Sequence, residues 1–218
     1  MSHPVSPAAR LLQPLLWLAC ALVAWAESGP AVPGPTVLLQ PMGRIAPQQV
    51  ESVRQAISQV YGFEVAVGKT QGLPQAAYYP ARQRYRADRL LDQLARQRAG
   101  DGPILLALTD ADISTTLHGK PDWGVFGLGS LDRKVAVAST YRLKRGASAA
   151  QQQLRLNKVA VHEIAHNLGL PHCSSALCVL TDMEGSISKL DAAPLAFCGV
   201  SRLLVQGLSH AKTLVGTP

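Results

Sequence analysis

The chain is poor in cysteine, and the small number argues against an exported protein held together by a framework of disulfides. Of its 218 residues four are cysteines, and Cys20 lies in an N-terminal apolar run. The other three, Cys173, Cys178 and Cys198, are an odd number, which argues against a complete disulfide framework. Metal ligation and one disulfide beside a free thiol both fit that number. No internal repeat or long low-complexity tract suggests a repeat or fibrous protein.

Acidic and aromatic residues are also few. The formal charge is +7 at pH 7, and aromatic residues make up 5% of the chain. Many basic residues fall in two clusters, ARQRYRADRLLDQLARQR and LDRKVAVASTYRLKR. Neither cluster has the interleaved aromatics or the motif of a nucleic-acid-binding module. We therefore expect a solvated helix face and strand ends, and no nucleic-acid partner. Attraction to acidic substrates or to an anionic membrane surface is the alternative.

The N-terminal apolar run predicts export. Arg10 precedes LLQPLLWLACALVAW, and AWA at 24–26 fits an A-x-A cleavage site. Because the run is shorter than the ~20 apolar residues of a spanning helix, we expect a signal peptide at 1–26. The mature protein is then periplasmic or extracellular and has no stable membrane span. Cys20 raises a lipoprotein alternative, which the preceding residues WLA disfavour because they match a lipobox poorly.

The rest of the chain is predicted to form a single domain at 36–218, after a proline- and glycine-rich linker at 27–35. Apolar periodicity and turn residues give the order β-α-β-α-β-β-β-α, followed by an irregular C-terminal part. That order predicts an α/β (α+β) fold with a mixed twisted sheet backed by helices. SRLLVQGLSHAKTLV carries a weak pattern for one more helix.

The chemistry is concentrated in VAVHEIAHNLGLPHCSSALCVLTDM, residues 159–183. His162 and His166 are four residues apart, so on a helix both imidazoles converge on one ion. Glu163 points toward the neighbouring strip of that helix. There it can take a proton from a metal-bound water instead of binding the metal itself.

A third histidine, His172, follows a glycine and a proline. On a straight helix it would face away from the ion. Gly169 can take a left-handed conformation that ends the helix, and Pro171 keeps the turn from continuing as helix. Three histidines and a water make an open zinc site of the catalytic kind, and the spacing is that of metzincins. Histidines of a core or a helix cap would not explain Glu163 and Gly169 at the matching offsets.

The residues after the third histidine resemble those of the archaemetzincins, whose signature is H-E-x-x-H-x-x-G-x-x-H-C-x4-C-x-M-x17-C-x-x-C. Two segments upstream of the histidines are also similar to segments of that family, namely AAYYPARQRYRADRLLDQL and VFGLGSLDRKVAVASTYRL. The resemblance implies a metzincin-like fold with a long active-site helix. It also implies a catalytic zinc and a structural zinc on four cysteines. The positions that match the signature are His162, Glu163, His166, Gly169, His172, Cys173, Cys178 and Cys198.

Two positions depart from this signature. Leu180 stands where the family has a methionine beneath the zinc, and Met183 lies three residues further on. Leucine and methionine have similar volumes, and such swaps usually cost less than ~1.5 kcal/mol, so we expect activity to survive. Ser201 stands where the fourth cysteine is expected, and serine is a poor ligand for a soft thiolate site. Three thiolates can still hold a second zinc with water or another side chain, such as His210. Alternatively, two of the cysteines form a disulfide.

These observations predict an exported zinc-dependent metallopeptidase with peptide or protein substrates. Aminopeptidase and endopeptidase action both stay open, and the oligomeric state leaves no signal. By resemblance, the substrate pairs with an exposed edge strand from WGVFGLG or KVAVAST. One alternative is a non-catalytic exported zinc-binding protein derived from such a peptidase, which Leu180 and Ser201 favour. The retained Glu163 argues against it, because binding the metal does not require this residue. Another alternative is an envelope interaction module with a structural metal only.

Overall fold

A computed structural model describes residues 37–98, 100, 102–117 and 119–215, without the side chains of 209–215. The predicted signal peptide with Cys20, the linker and the side chain of His210 lie outside the described residues. The strands within them are β1 (Val37–Met42), β2 (Val65–Val67), β3 (Tyr78–Tyr79), β4 (Arg84–Arg86), β5 (Ile104–Thr109), β6 (Ile113–Leu117), β7 (Lys120–Gly124), β8 (Gly127–Gly129) and β9 (Val135–Ser139). The helices are α1 (Pro47–Tyr61), α2 (Ala87–Gln97), α3 (Ala149–Asn167), α4 (Ile187–Ala192) and α5 (Gly199–Val215).

The main sheet has five strands in the order β2-β1-β5-β9-β8. β1 runs parallel to β2 and β5, β5 runs parallel to β9, and only β8 is antiparallel. The central strands β5 and β9 are buried along their whole length, which explains why they read as continuous apolar runs. The predicted mixed sheet is confirmed, and β8 forms one of its edges.

Helices cover both faces of this sheet. Side chains alternate along a strand between its two faces, so Leu105 and Leu106 enter different cores. Leu106 belongs to the core formed with α1 and α3, whereas Leu105 packs with the apolar side of α2. The sheet is therefore the middle of three layers, as expected of an α/β domain.

A second, smaller sheet has the order β3-β4-β6-β7, and the predicted element order did not include it. WGVFGLG, expected as one strand, is divided: Trp123 and Gly124 end β7, and Gly127 opens β8 in the other sheet. These strands are short, and β7 is partly exposed. Their pairing depends on distant partners, and a local pattern does not reveal those partners.

The long helix α3 carries the predicted site. Ser148 caps it, because the Ser148 hydroxyl accepts from the Gln151 N–H and the Gln151 side chain accepts from the Ser148 N–H. From Arg155 onward most of its residues are buried. The Arg155 guanidinium donates to both carboxylate oxygens of Asp191 at 2.7 Å, which joins α3 to α4. Among the described residues, no helix combines the length and the apolar character needed to cross a membrane.

The segment between α3 and α4 is irregular, as predicted for the C-terminal part. The chain then becomes helical again, and α5 confirms the weak pattern of its last apolar segment. Buried Val205 attaches α5 to the main core. Cys198 immediately precedes α5, and Ser201 lies in its first turn. The Ser201 hydroxyl lies 3.4 Å from Cys178 Sγ, so the start of this helix approaches the loop that follows the third histidine.

Candidate metal centre

His162 and His166 lie one helical turn apart at the end of α3, with their Nε2 atoms 3.0 Å from each other. Each Nδ1 lies 2.8 Å from a backbone carbonyl, that of Val179 for His162 and that of Leu170 for His166. A carbonyl oxygen can only accept, so each Nδ1 carries the proton and each Nε2 keeps its lone pair. Both lone pairs are thereby held toward one point, as in metal sites with oriented histidine ligands.

His172 joins this pair because the helix ends at Gly169. This glycine has φ +87°, the left-handed conformation that the sequence predicts for it, and its N–H donates to the His166 carbonyl at 2.9 Å. The ring centre of His172 lies 5.2 Å from that of His162 and 4.9 Å from that of His166. Its Nδ1 lies 3.5 Å from an Asp182 carboxylate oxygen, which leaves Nε2 for a ligand.

The three imidazoles fit a zinc ion. Their ligand atoms lie within 4.8 Å of one another. Tetrahedral zinc with Zn–N bonds of about 2.0 Å needs nitrogens about 3.3 Å apart, close to the 3.0 Å between His162 and His166. Two lone pairs at that distance repel each other unless a cation lies between them. Burial lowers the pKa of His162 to about 4 and also lowers that of His166, so both rings stay neutral at pH 7 and can bind a metal.

Glu163 is buried between α3 and β8. Burial raises the pKa of its carboxyl to about 8, and a hydrogen bond from the Gly129 N–H partly offsets this rise. Glu163 shares a cavity of about 120 Å³ with His162 and His172. A carboxyl group in this position can exchange a proton with a molecule bound beside the histidines.

Two glycines that the sequence analysis did not single out allow β8 to lie against Glu163. A Cβ atom at Gly127 would lie 2.6 Å from Glu163 Oε1, and one at Gly129 would lie 2.7 Å from the Glu163 backbone oxygen. A Cβ atom at Gly127 would force the Glu163 side chain to shift, and one at Gly129 would clash with the backbone of α3 itself. The available signal was GLG inside a strand pattern, because glycines two apart lie on one face and permit close backbone approach.

The cavity is mostly apolar away from the histidines. Trp123 from β7, Val159 from α3 and Phe126 line it, and Asp182 and Glu184 add carboxylates. Its lining also includes Met183.

Met183 therefore lines the cavity as well as packing in the main core, whereas Leu180 is 1% exposed and packs in that core without lining the cavity. The family position that Leu180 occupies is filled by a core side chain, and Met183, which lines the cavity beside the histidines, lies three residues further along the chain.

β8 is the edge strand beside this cavity. KVAVAST, the other segment predicted as an edge, forms β9, which pairs with β5 on one side and β8 on the other. That alternative is wrong, because β9 is an internal strand. Phe126 and Ser130 bond to β9, so by the alternation of an antiparallel ladder the backbone groups of Gly127 and Gly129 point to the open side.

The three cysteines form a second cluster, separate from the histidines. Cys173 Sγ and Cys198 Sγ lie 3.6 Å apart, and all three are free thiols. Cys178 is buried, and its Sγ lies 3.4 Å from the Ser201 hydroxyl. The Ser201 hydroxyl and its backbone N–H lower the pKa of Cys198 to about 6. The structure thus brings all the predicted residues of the second site together, with Ser201 among them.

Known proteins resemble the chain in sequence. No family model matches it. An archaemetzincin of Haloarcula marismortui is 33% identical over 168 residues, which are 73% of this chain and 92% of that protein. An archaemetzincin of Halobacterium salinarum is 31% identical over 167 residues, again 73% and 92% of the two chains.

Solved structures resemble the chain in fold. The crystal structure of an archaemetzincin from Methanopyrus kandleri aligns with a TM-score of 0.69 and 30% identity, over 80% of this chain and 95% of that one. The archaemetzincin of Archaeoglobus fulgidus, complexed with malonate, gives a TM-score of 0.65 and 27% identity, over 78% and 99% of the two chains. The sequence and fold comparisons thus lead to the same group of proteins.

Proposed function

The chain belongs to the archaemetzincin family, and from this membership we propose that it is an exported zinc-dependent peptidase that acts on peptide or protein substrates. The observation that carries the proposal is one cavity in which His162 and His172 stand beside the buried Glu163 carboxyl. Together with His166, they supply a three-histidine zinc site and a proton acceptor in the same place. A protein that only stored or carried zinc would need the histidines but not the carboxyl.

The described residues divide the chemistry between them. His162, His166 and His172 would hold a zinc ion, which would supply a Lewis acid to polarise the scissile carbonyl and make water more acidic. Glu163 takes a proton from the attacking water and later hands it to the leaving amine. Burial raises the pKa of this carboxyl, and a more basic carboxylate accepts a proton more readily. The carbonyls of Val179 and Leu170 hold the two helix histidines in position.

The open side of β8 is where the substrate backbone binds. Gly127 directs its backbone N–H and carbonyl to that side, and Gly129 adds its carbonyl, since the Gly129 N–H donates to Glu163. An extended peptide can therefore add there as a further strand. Backbone pairing alone does not distinguish one substrate side chain from another. Selectivity comes from the adjoining cavity, whose lining of Trp123, Phe126 and Met183 favours an apolar side chain next to the scissile bond.

Export is the part of the proposal that rests on the sequence alone. The apolar run after Arg10 and the AWA motif support cleavage after position 26. The active protein is then the chain from Glu27 to Pro218, and that is the form to test.

The deciding experiment incubates this chain, loaded with zinc, with a mixed-sequence peptide library and reads the products by mass spectrometry. Glu163→Ala should keep its zinc and form no products, because Glu163 is not a ligand. Glu184→Ala is the matched control. This residue also lines the cavity, but its carboxylate pairs with Lys189 at 2.9 Å, and its loss should leave cleavage in place.

Each outcome decides between the candidates. Products from the native chain and the control alone establish the peptidase, and the ends of the products separate aminopeptidase from endopeptidase action. Equal products from Glu163→Ala would refute the assigned role of Glu163. No products from a native chain that demonstrably holds zinc would favour the non-catalytic zinc-binding protein.

A further inference from the structure

The cysteine cluster, Cys173, Cys178, Cys198 and Ser201, is built from two segments of the chain. Cys173 and Cys178 lie in the loop after the third histidine, and Cys198 and Ser201 lie at the start of α5. The three sulfurs are within 4.8 Å of one another. Ser201 follows Cys198 by three residues at the start of a helix, a spacing that places both side chains on the same face.

Ser201 Oγ lies where a fourth ligand would be. It is 3.4 Å from Cys178 Sγ and 3.4 Å from Cys198 Sγ, and the residue is 4% exposed. Tetrahedral zinc with bonds of about 2.3 Å to sulfur and about 2.0 Å to oxygen needs sulfur–oxygen edges of about 3.5 Å and sulfur–sulfur edges of about 3.8 Å. The 3.6 Å between Cys173 and Cys198 is close to the second value.

Backbone amides around the cluster favour thiolates over neutral thiols. The Ser175 N–H donates to Cys173 Sγ at 3.5 Å, and the Cys198 N–H donates to Cys178 Sγ at 3.4 Å. Donors of this kind stabilise negative charge on sulfur and orient it, as outer-shell groups do in metal sites. A cluster kept only for packing would have no need for them.

We propose that Ser201 is itself the fourth ligand of a second zinc ion, which is held by three thiolates and one hydroxyl oxygen. Oxygen is a harder donor than thiolate and binds zinc less tightly in such a site. The ion therefore leaves more readily than it would from four cysteines. The proposal does not depend on the peptidase activity, because the metal, and not a product, is measured.

The test replaces zinc by Co²⁺ in the reduced chain from Glu27 to Pro218, under anaerobic conditions. Only thiolate ligands give the near-ultraviolet sulfur-to-cobalt charge-transfer band, so the histidine site does not contribute to it. We expect two cobalt ions per chain and a charge-transfer band with the intensity that three thiolates give. Ser201→Cys should raise this band by about one third, because each thiolate contributes a similar share.

The rate of metal release to a chelator then tests Ser201 directly. Ser201→Ala should release cobalt from the thiolate site at least about 10-fold faster than the native chain, and Ser201→Cys at least about 10-fold slower. Ser175→Ala is the matched control. Its backbone N–H still reaches Cys173, and the Ser175 hydroxyl accepts from the Leu177 N–H, so its release rate should equal the native one.

Three results would overturn the proposal. One is release of cobalt from Ser201→Ala at the same rate as from the native chain. The second is a single cobalt ion per chain with no charge-transfer band. The third is a disulfide found between two of the cysteines of the exported protein by non-reducing peptide mapping. Circular dichroism of each variant ensures that a changed rate reflects a lost ligand and not an unfolded chain.

Discussion

Replacing Gly129 by alanine tests whether close contact between β8 and α3 positions the proton acceptor. The added Cβ would lie 2.7 Å from the Glu163 backbone oxygen and 3.2 Å from His166 Cβ. Neither atom belongs to a flexible chain end, so a rotamer change cannot relieve the clash. Either β8 or this turn of α3 has to move.

The size of the effect follows from that distance. Ordinary contact begins at 3.4 Å, so the two elements must separate by about 0.7 Å. Overpacking of this kind typically costs 1–3 kcal/mol, which in a domain of this size lowers the melting temperature by about 2–4 °C per kcal/mol. A misplacement of about 1 Å can cost about 100-fold in rate. We therefore expect kcat/KM to fall about 10- to 100-fold, because the Gly129 N–H moves away from the Glu163 carboxylate.

The assay compares Gly129→Ala with the native chain in kcat/KM, melting temperature and bound zinc. Zinc should stay bound, because His162 and His166 keep their carbonyl partners. Gly72→Ala is the matched control, since a Cβ atom there meets nothing within 4 Å. Activity within twofold of native at an unchanged melting temperature would refute the claim that this contact positions Glu163.

Three further changes test other parts of the structure. Asp191→Asn should lower the free energy of unfolding by about 1–2 kcal/mol at pH 7, since it deprives buried Arg155 of its anionic partner. Because Arg155 lowers the pKa of Asp191 in the folded state, the loss measured by thermal denaturation is complete above the unfolded pKa of about 3.9 and disappears only as pH falls through the lower folded pKa. A constant loss at all pH values contradicts the ion pair. Leu180→Ala should cost about 2–5 kcal/mol by leaving a core cavity, whereas Leu180→Met should cost less than about 1.5 kcal/mol and keep activity. A strong zinc chelator should abolish cleavage while the far-ultraviolet circular dichroism of the domain persists; simultaneous loss of both would indicate a structural metal alone.

The sequence allowed the histidine site to be predicted because its geometry is local. His162 and His166 are related by one helical turn, and Gly169 with φ +87° accounts for the return of His172. Each of these relations spans only a few residues. The central strands could be predicted equally well, since strands buried on both faces must be apolar throughout.

The features that were not predicted depend on distant partners. β8 approaches α3 across more than 30 residues of sequence, and GLG read alone does not reveal which helix lies against it. The division of WGVFGLG between two sheets has the same origin, because β7 is defined by its pairing with β6. Ser201 was recognised only as a departure from the family signature, and its position near Cys178 depends on how the start of α5 packs.

The loop from His172 to Leu180 makes the two clusters interdependent. His172 and Cys173 are neighbours in the chain, and so are Cys178 and Val179, whose carbonyl fixes the His162 ring at 2.8 Å. The Cys173 N–H donates to the Leu180 carbonyl at 2.8 Å, so the ends of this loop are tied to each other. A metal ion in the cysteine cluster would attach the loop to α5. It would thereby hold His172, which is a ligand of the histidine site, and Val179, whose carbonyl orients His162. Since partners of this kind change metal affinity by about 10- to 100-fold, the weaker oxygen ligand at Ser201 affects both sites. Zinc occupancy of the histidines should then follow occupancy of the cysteines.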